Sequence, residues 1–320
     1  MERATRWLPP TPTEQLAALG PTAALPPSLR RALEPGNAFA SIPAPGPSDW
    51  LANHPETGQT FAQFVRAGYN QPDARRHTIY LQPLGTFADN SPPLDQLQQF
   101  AAAFFALNAV VLPPLGIAAS QITTRQNPHT QQTQLLTTDI LALLRRRLPD
   151  DAYAMLGITM TDLYPDPAWN FVFGQAALRE RVGIYSFARY DPRFLDAAAP
   201  DGWQQLMLRR SCKVLAHETA HMFGIAHCVY FHCLMNGSNH LAESDARPMH
   251  LCPVDLRKLQ HSVGFDVVAR EQHLHDVCMR LDFTDEAHWL GERLATIANG
   301  DRSDTAPLDA PGQNGGTDGR

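Results

Sequence analysis

The chain reads as an α/β protein: a mixed sheet carrying helices, followed by a smaller helical C-terminal part. Three observations predict this. Strand-like and helix-like segments alternate between His77 and Tyr190 in the order βαβαβββ. A long apolar-periodic helix follows near Leu206–Phe223, with Leu208, Cys212, Leu215, Ala216, Thr219 and Met222 on a helical repeat. Beyond it the sequence carries helix signals only.

In chain order, residues 1–46 are rich in proline and alanine with weak periodicity, so a poorly ordered arm is expected, with one helix near Thr13–Leu19 or Ser28–Leu33. His77–Leu84 alternates and reads as a strand. Leu94–Leu107 and Leu135–Arg147 fit amphipathic helices. Val110–Ile117 reads as a strand that Pro113 and Pro114 confine to an edge or bend. Tyr153–Thr159, Phe171–Ala176 and Val182–Tyr190 are three further strands. Pro253 marks the first turn of a helix over Val254–His261. Two more helices are expected at Val267–Met279 and Glu286–Ile297. Residues 299–320 are rich in Gly, Asp, Pro and Ser and are expected to be disordered.

Composition narrows the function. The chain has 320 residues, and 44% of them are hydrophobic, enough for a sizeable core. A net charge of −6 argues against general nucleic-acid binding, which needs a basic surface. The basic run Arg145–Arg146–Arg147 follows an apolar helical stretch and reads as cations at a helix C-terminus. There is no run of about 18 apolar residues, so no transmembrane helix is expected. No secretory signal is visible, because Pro9, Pro10, Pro12 and Pro21 break up the start. The five cysteines therefore point to metal before disulfides. A cytoplasmic monomer is expected, with the nucleus also open to it.

The chemistry is concentrated in His217-Glu218-Thr219-Ala220-His221-Met222-Phe223-Gly224-Ile225-Ala226-His227. His217 and His221 are four residues apart, so on a helix they leave one face a turn apart and reach a single ion. Gly224 lets the helix end and the chain turn back, which brings in His227. Three protein ligands leave a fourth position for water, the mark of a catalytic zinc. Glu218, a quarter turn round the helix, is placed to accept a proton from that water. A bare His-Glu-x-x-His has a real chance of arising by accident. The glycine and third histidine at these offsets make the signal specific.

The stretch after His227 is more specific still. Cys228 comes directly after it, then four residues, Cys233, one residue and Met235. Cys252 opens Cys252-Pro253-Val254-Asp255. With Pro47-Ser48-Asp49-Trp50, the stretch Ile158–Pro165, Trp169–Ala176 and Gly183–Tyr190, this resembles the archaemetzincins (archaelysins) of vertebrate type, a branch of the metzincin metallopeptidases. The resemblance covers roughly Pro47 to Arg280. It implies a metzincin-like fold: a twisted sheet with an antiparallel edge strand lining the cleft, helices on the sheet, an active-site helix below and a smaller C-terminal subdomain. Val182–Tyr190 is the candidate edge strand. The implied peptidase domain spans residues 47–298, with an upper part 47–224 and a lower part 225–298. The resemblance also implies a catalytic zinc on His217, His221 and His227, with Glu218 as general base. Met235 would be the methionine of a tight turn beneath the metal. The cysteines would hold a second, structural zinc. The implied activity is hydrolysis of peptides, aminopeptidase-like on small ones. A zinc-binding scaffold with little turnover is the rival reading.

The sequence departs from the family at two places. The structural site normally has four cysteines, and Asp255 stands at the fourth position. Asp255 ligating through oxygen, His250 or His261 replacing it, and a site with little or no zinc all stay open. An oxygen donor is harder than thiolate, so this second zinc is expected to leave first under a chelator. Some relatives carry a tyrosine two residues after the turn methionine, where this chain has Gly237. That leaves any oxyanion stabiliser besides zinc unassigned.

Overall fold

The structure is a computed structural model that describes residues 7–88, 91–194 and 198–303, the side chains of 299–303 excepted. Its elements are α1 (Pro12–Leu19), α2 (Pro27–Ala32), α3 (Trp50–Asn53), α4 (Phe61–Ala67), β1 (Thr78–Leu84), α5 (Leu94–Phe105), β2 (Asn108–Val111), β3 (Thr124–Gln126), β4 (Thr133–Leu136), α6 (Thr137–Arg147), β5 (Ala152–Thr159), β6 (Asp162–Tyr164), β7 (Gly174–Ala177), β8 (Val182–Ser186), α7 (Trp203–Met222), α8 (Leu241–Ala246), α9 (Pro253–Val263), α10 (Val267–Arg280) and α11 (Thr284–Ser303).

The main sheet has the order β2-β1-β5-β8-β7. Its first four strands are parallel, and β7 pairs antiparallel to β8 at one edge. The antiparallel edge strand is therefore β7, and the candidate Val182–Tyr190 is corrected: its strand portion, β8, lies inside the sheet. The cause is burial. Every residue of β8 is buried, as expected of a parallel strand covered on both faces, whereas all four of β7 are half-exposed. Strand period two divides the core. Ala154, Leu156, Ile158 and Tyr185 join the cluster that contains Phe100, Phe104 and Leu215 of α5 and α7. Met155, Val182 and Ile184 join Ile140, Leu141 and Leu144 of α6 on the opposite face.

Short strands β3, β4 and β6 form a second sheet that the sequence did not announce. Leu135, expected in a helix, ends up in β4, and α6 starts only at Thr137.

Residues 7–46, expected as a poorly ordered arm, are ordered and packed. Pro12 and Pro27 sit at helix starts, where proline's missing N–H costs nothing. Thr11 and Glu14 form a reciprocal capping box, worth about 1 kcal/mol. Ala18, Leu19, Leu29, Ala32, Leu33, Phe39 and Ile42 are buried in the main core. Polar staples complete the docking: Gln15 Nε2 donates to Tyr230 O (2.7 Å), Arg31 Nε to Ile297 O (2.7 Å) and Arg257 Nη2 to Pro21 O (2.8 Å). The tail beyond Ser303 lies outside the described residues, and α11 covers the first part of the stretch expected to be disordered.

Candidate metal centre

The predicted metal helix is α7, twenty residues long, packed against α5 and the β8–β7 side of the sheet. Its end is a glycine-terminated turn. Gly224 N–H donates to His221 O and Ile225 N–H to Ala220 O, with Gly224 at φ +81°. A side chain at Gly224 would also collide with the Tyr69 ring, 2.1 Å from where its Cβ would stand. The turn delivers His227 to the other two histidines.

A ring nitrogen of each of His217, His221 and His227 lies within 4.8 Å of the others. Each Nδ1 faces an oxygen acceptor: Leu234 O at 3.0 Å for His217, Ile225 O at 2.6 Å for His221 and Glu56 Oε1 at 2.9 Å for His227. An oxygen acceptor takes a proton from Nδ1, and that tautomer leaves a lone pair on Nε2 for a metal; at His217, Arg247 Nη1 also stands 3.2 Å from Nδ1. Burial pushes the His217 pKa well below its ordinary value, reinforced by the Arg247 guanidinium, and pushes His221 down to about 4. The Nε2 atoms of His217 and His221 are 3.1 Å apart. Two lone pairs this close repel unless a cation lies between them. Tetrahedral zinc at its usual bond length would set them about 3.3 Å apart. The donor set fits such an ion.

Glu218 is half-exposed on the next helical position. Burial by its surroundings raises its pKa above that of an ordinary carboxylate, against the pull of His227 and Arg247. It is thus a stronger base than a free glutamate.

Cys228, Cys233, Cys252 and Asp255 form a second cluster, fully buried. Cys228 Sγ is 3.6 Å from Cys252 Sγ, and Asp255 Oδ2 is 3.3 Å from Cys233 Sγ and 3.4 Å from Cys252 Sγ. A tetrahedral zinc would space sulfurs about 3.8 Å apart and sulfur and oxygen about 3.5 Å apart. The structure thus brings Asp255 to the cysteines. His250 and His261 stay outside the cluster: His250 binds Glu286 and stacks flat on Trp289, and His261 packs against Phe61 and Phe64. Lys258 Nζ donates to Asp255 Oδ1 at 2.8 Å, which leaves Oδ2 for the sulfur side. The Asp255 pKa is raised to about 6, chiefly by burial.

Asn236 ties the loop between the clusters. Its Nδ2 donates to Cys228 O and Phe231 O, and its Oδ1 accepts from Cys233 N–H. Met235, next to it, is completely buried.

Residues 111–261 match Peptidase family M54. The chain is similar to archaemetzincin-2 of Rattus norvegicus, 41% identical in an alignment 276 residues long that covers 77% of each protein. The chain belongs to the archaemetzincins, peptidase family M54. By that membership it is a zinc metallopeptidase acting on peptides. It is likewise similar to archaemetzincin-2 of Homo sapiens, 38% identical over 77% of this chain and 76% of that one. Among solved structures it is similar to an archaemetzincin from Methanopyrus kandleri, 25% identical, with a TM-score of 0.44 over 60% of this chain and 97% of that one.

The archaemetzincin motif made the histidines, Glu218, the cysteines and Asp255 legible. It gave no sign of Glu56, Trp50, Gln59, Arg247 or Lys258. Glu56 is 171 positions from the ring it touches, and no spacing rule spans that distance. The only signal available was the Pro47–Trp50 resemblance, which carried no role. No helix among the described residues is long and apolar enough to cross a membrane.

Proposed function

We propose that His217, His221 and His227 hold the catalytic zinc of a peptide hydrolase, that Glu218 is its general base, and that Cys228, Cys233, Cys252 and Asp255 hold a second, structural zinc. One observation carries the first part: each of the three Nδ1 atoms faces an oxygen acceptor, while ring nitrogens of the three converge within 4.8 Å and the Nε2 atoms of His217 and His221 stand at a spacing that suits a shared cation. Zinc bound there supplies Lewis acidity toward water and toward the scissile carbonyl. Glu218 removes the proton from the attacking water and delivers it to the departing amine nitrogen. The three imidazoles serve as ligands throughout, and their orientation is fixed by their Nδ1 partners.

Met235 closes the turn beneath the histidines, between the two clusters. The free edge of β7 offers main-chain hydrogen bonds to an extended peptide. A cavity of about 300 Å³, lined by Ile42, Leu51, Gly237, Ala246 and Arg247 among others, offers room for a substrate side chain. The net charge of −6 favours peptides over nucleic acids. Aminopeptidase-like action on small peptides, a monomeric state and a cytoplasmic setting complete the reading; five unpaired, buried cysteines support the last of these. The proposed upper and lower parts meet at Gly224, and the packed residues 7–46 belong with the lower part.

The deciding experiment is Glu218→Gln. Turnover of a peptide library should fall about 10²–10⁴-fold while zinc content stays unchanged. Cleavage at the wild-type rate would remove Glu218 from the mechanism. Comparing peptides with free and blocked N-termini tests the aminopeptidase part, because equal cleavage of both rules it out.

A further inference from the structure

His217 and His221 are held by a rigid helix, and their Nδ1 protons go to nearby backbone carbonyls. His227 has neither advantage. It sits in the turn after α7, and its Nδ1 proton goes to a side chain that arrives from far upstream. That side chain belongs to a strap, residues 50–59, which fastens to the turn at several points. Gln59 Nε2 donates to Gly224 O (3.0 Å), and its Oε1 accepts from Ala226 N–H (3.3 Å). Trp50 stands edge-on to the His227 ring at 5.1 Å, stacks on His54 at 4.1 Å, and anchors its backbone N–H on Glu243 Oε1 at 2.9 Å.

Two glycines make room for the strap. At Gly58, φ +71°, a Cβ would meet Val229 at 2.5 Å. At Gly237 a Cβ would lie 2.4 Å from the Trp50 indole. The indole therefore fills the space that a side chain two residues after Met235 would need. Two buried polar atoms of the strap, the Trp50 indole N–H, a donor, and Glu56 Oε2, an acceptor, lack a partner at full hydrogen-bond geometry, and the Trp50 side chain already acts on the Glu56 carboxylate. A small approach of one to the other would satisfy both, and would extend the chain Trp50–Glu56–His227 to the metal position.

We propose that Glu56 is the positioning residue of the metal centre, held by the Trp50–Gln59 strap so that its carboxylate fixes the orientation and tautomer of His227. This rests on the reading of the three histidines as metal ligands. A carboxylate on the far nitrogen of a ligating imidazole also raises the basicity of the near one. The strap lies outside residues 111–261, the stretch that the family model matches.

The test is zinc affinity of the full chain, measured by competition with a chromophoric chelator, together with the visible spectrum of the cobalt-substituted protein. Glu56→Ala should weaken the histidine site about 10–100-fold and alter the cobalt spectrum. Glu56→Gln, whose amide oxygen still accepts from Nδ1–H, should fall between wild type and Glu56→Ala. Trp50→Phe, which keeps a ring and loses the N–H, should also weaken binding. Wild-type affinity and an unchanged spectrum in Glu56→Ala would overturn the proposal. Should that variant fail to fold, the other two decide: weaker binding in either supports Glu56, and wild-type binding in both overturns it. His221→Ala is the control. If it keeps all its zinc, the metal-site reading fails, independently of Glu56.

Discussion

The histidine cluster and the cysteine–aspartate cluster meet in sequence at His227 and Cys228, yet they are built on opposite principles. The first has three imidazole donors, two of them half-exposed. The second has four donors, all buried, with Lys258 buried beside them. An open three-ligand site suits chemistry and a closed four-ligand site suits scaffolding. The closed one also serves the open one. Leu234, whose carbonyl takes the His217 proton, lies between Cys233 and Met235 in the loop that Asn236 ties down. Whatever fixes the cysteines also fixes an outer partner of the histidines.

The largest expected effect breaks the closed cluster. Asp255→Ala leaves the Lys258 ammonium buried without its partner, a loss of about 3–5 kcal/mol of stability. Zinc content should fall by the structural ion, and turnover should fall with it because Leu234 loses its anchor. Asp255→Cys, which restores a fourth thiolate, should keep that zinc. Thermal unfolding and metal analysis check both. An Asp255→Ala protein with full zinc and unchanged stability would show that Asp255 is neither ligand nor necessary partner.

A chelator sharpens the comparison by separating affinity from access. If the four donors hold zinc as proposed, the harder aspartate should make the closed site the weaker one. Burial of all four donors makes its release slow. A brief exposure should therefore strip the histidine site first, and a long one the cysteine–aspartate site. Metal content followed over time checks this, and an order that never changes would remove burial from the account.

These contrasts also show where the sequence is readable. His217, His221 and His227 follow from one helical turn and one glycine, and Asp255 stands out against a strict cysteine spacing. Local rules span those distances. The arm misleads because its prolines look like breakers. Pro12 and Pro27 are exposed helix starters, and only the burial of Leu19, Leu29 and Leu33 against distant elements shows that these helices pack. Val182–Tyr190 and Phe171–Ala176 are both legible as strands. Which one forms the edge depends on what covers each face, and periodicity does not report that. Glu56 is invisible because its role exists only after the chain has returned to α7.

The smallest expected effect concerns two buried lysines, one per cluster. Lys258 faces the Asp255 carboxylate; burial alone would lower its pKa, and the carboxylate raises it overall. Lys213, one turn before His217 on α7, donates only to the carbonyl oxygens of Ser244, Asp245 and Arg247. Burial lowers its pKa to about 7, with Arg247 and Arg209 adding repulsion. Between that value and the ordinary lysine value the unfolded chain holds a proton that the folded protein gives up. Stability from this group therefore rises with pH across the window, by up to ~1.4 kcal/mol per pH unit. Lys258 works in the opposite sense: its contribution is complete at neutral pH and is lost only at higher pH. Denaturation of wild type and Lys213→Met at pH 7, 8 and 9, at fixed free zinc, isolates the slope as the difference between the two. A flat difference would mean that three carbonyl oxygens hold an ammonium as firmly as a carboxylate does. The two lysines would then be equivalent, whatever the contrast between their clusters.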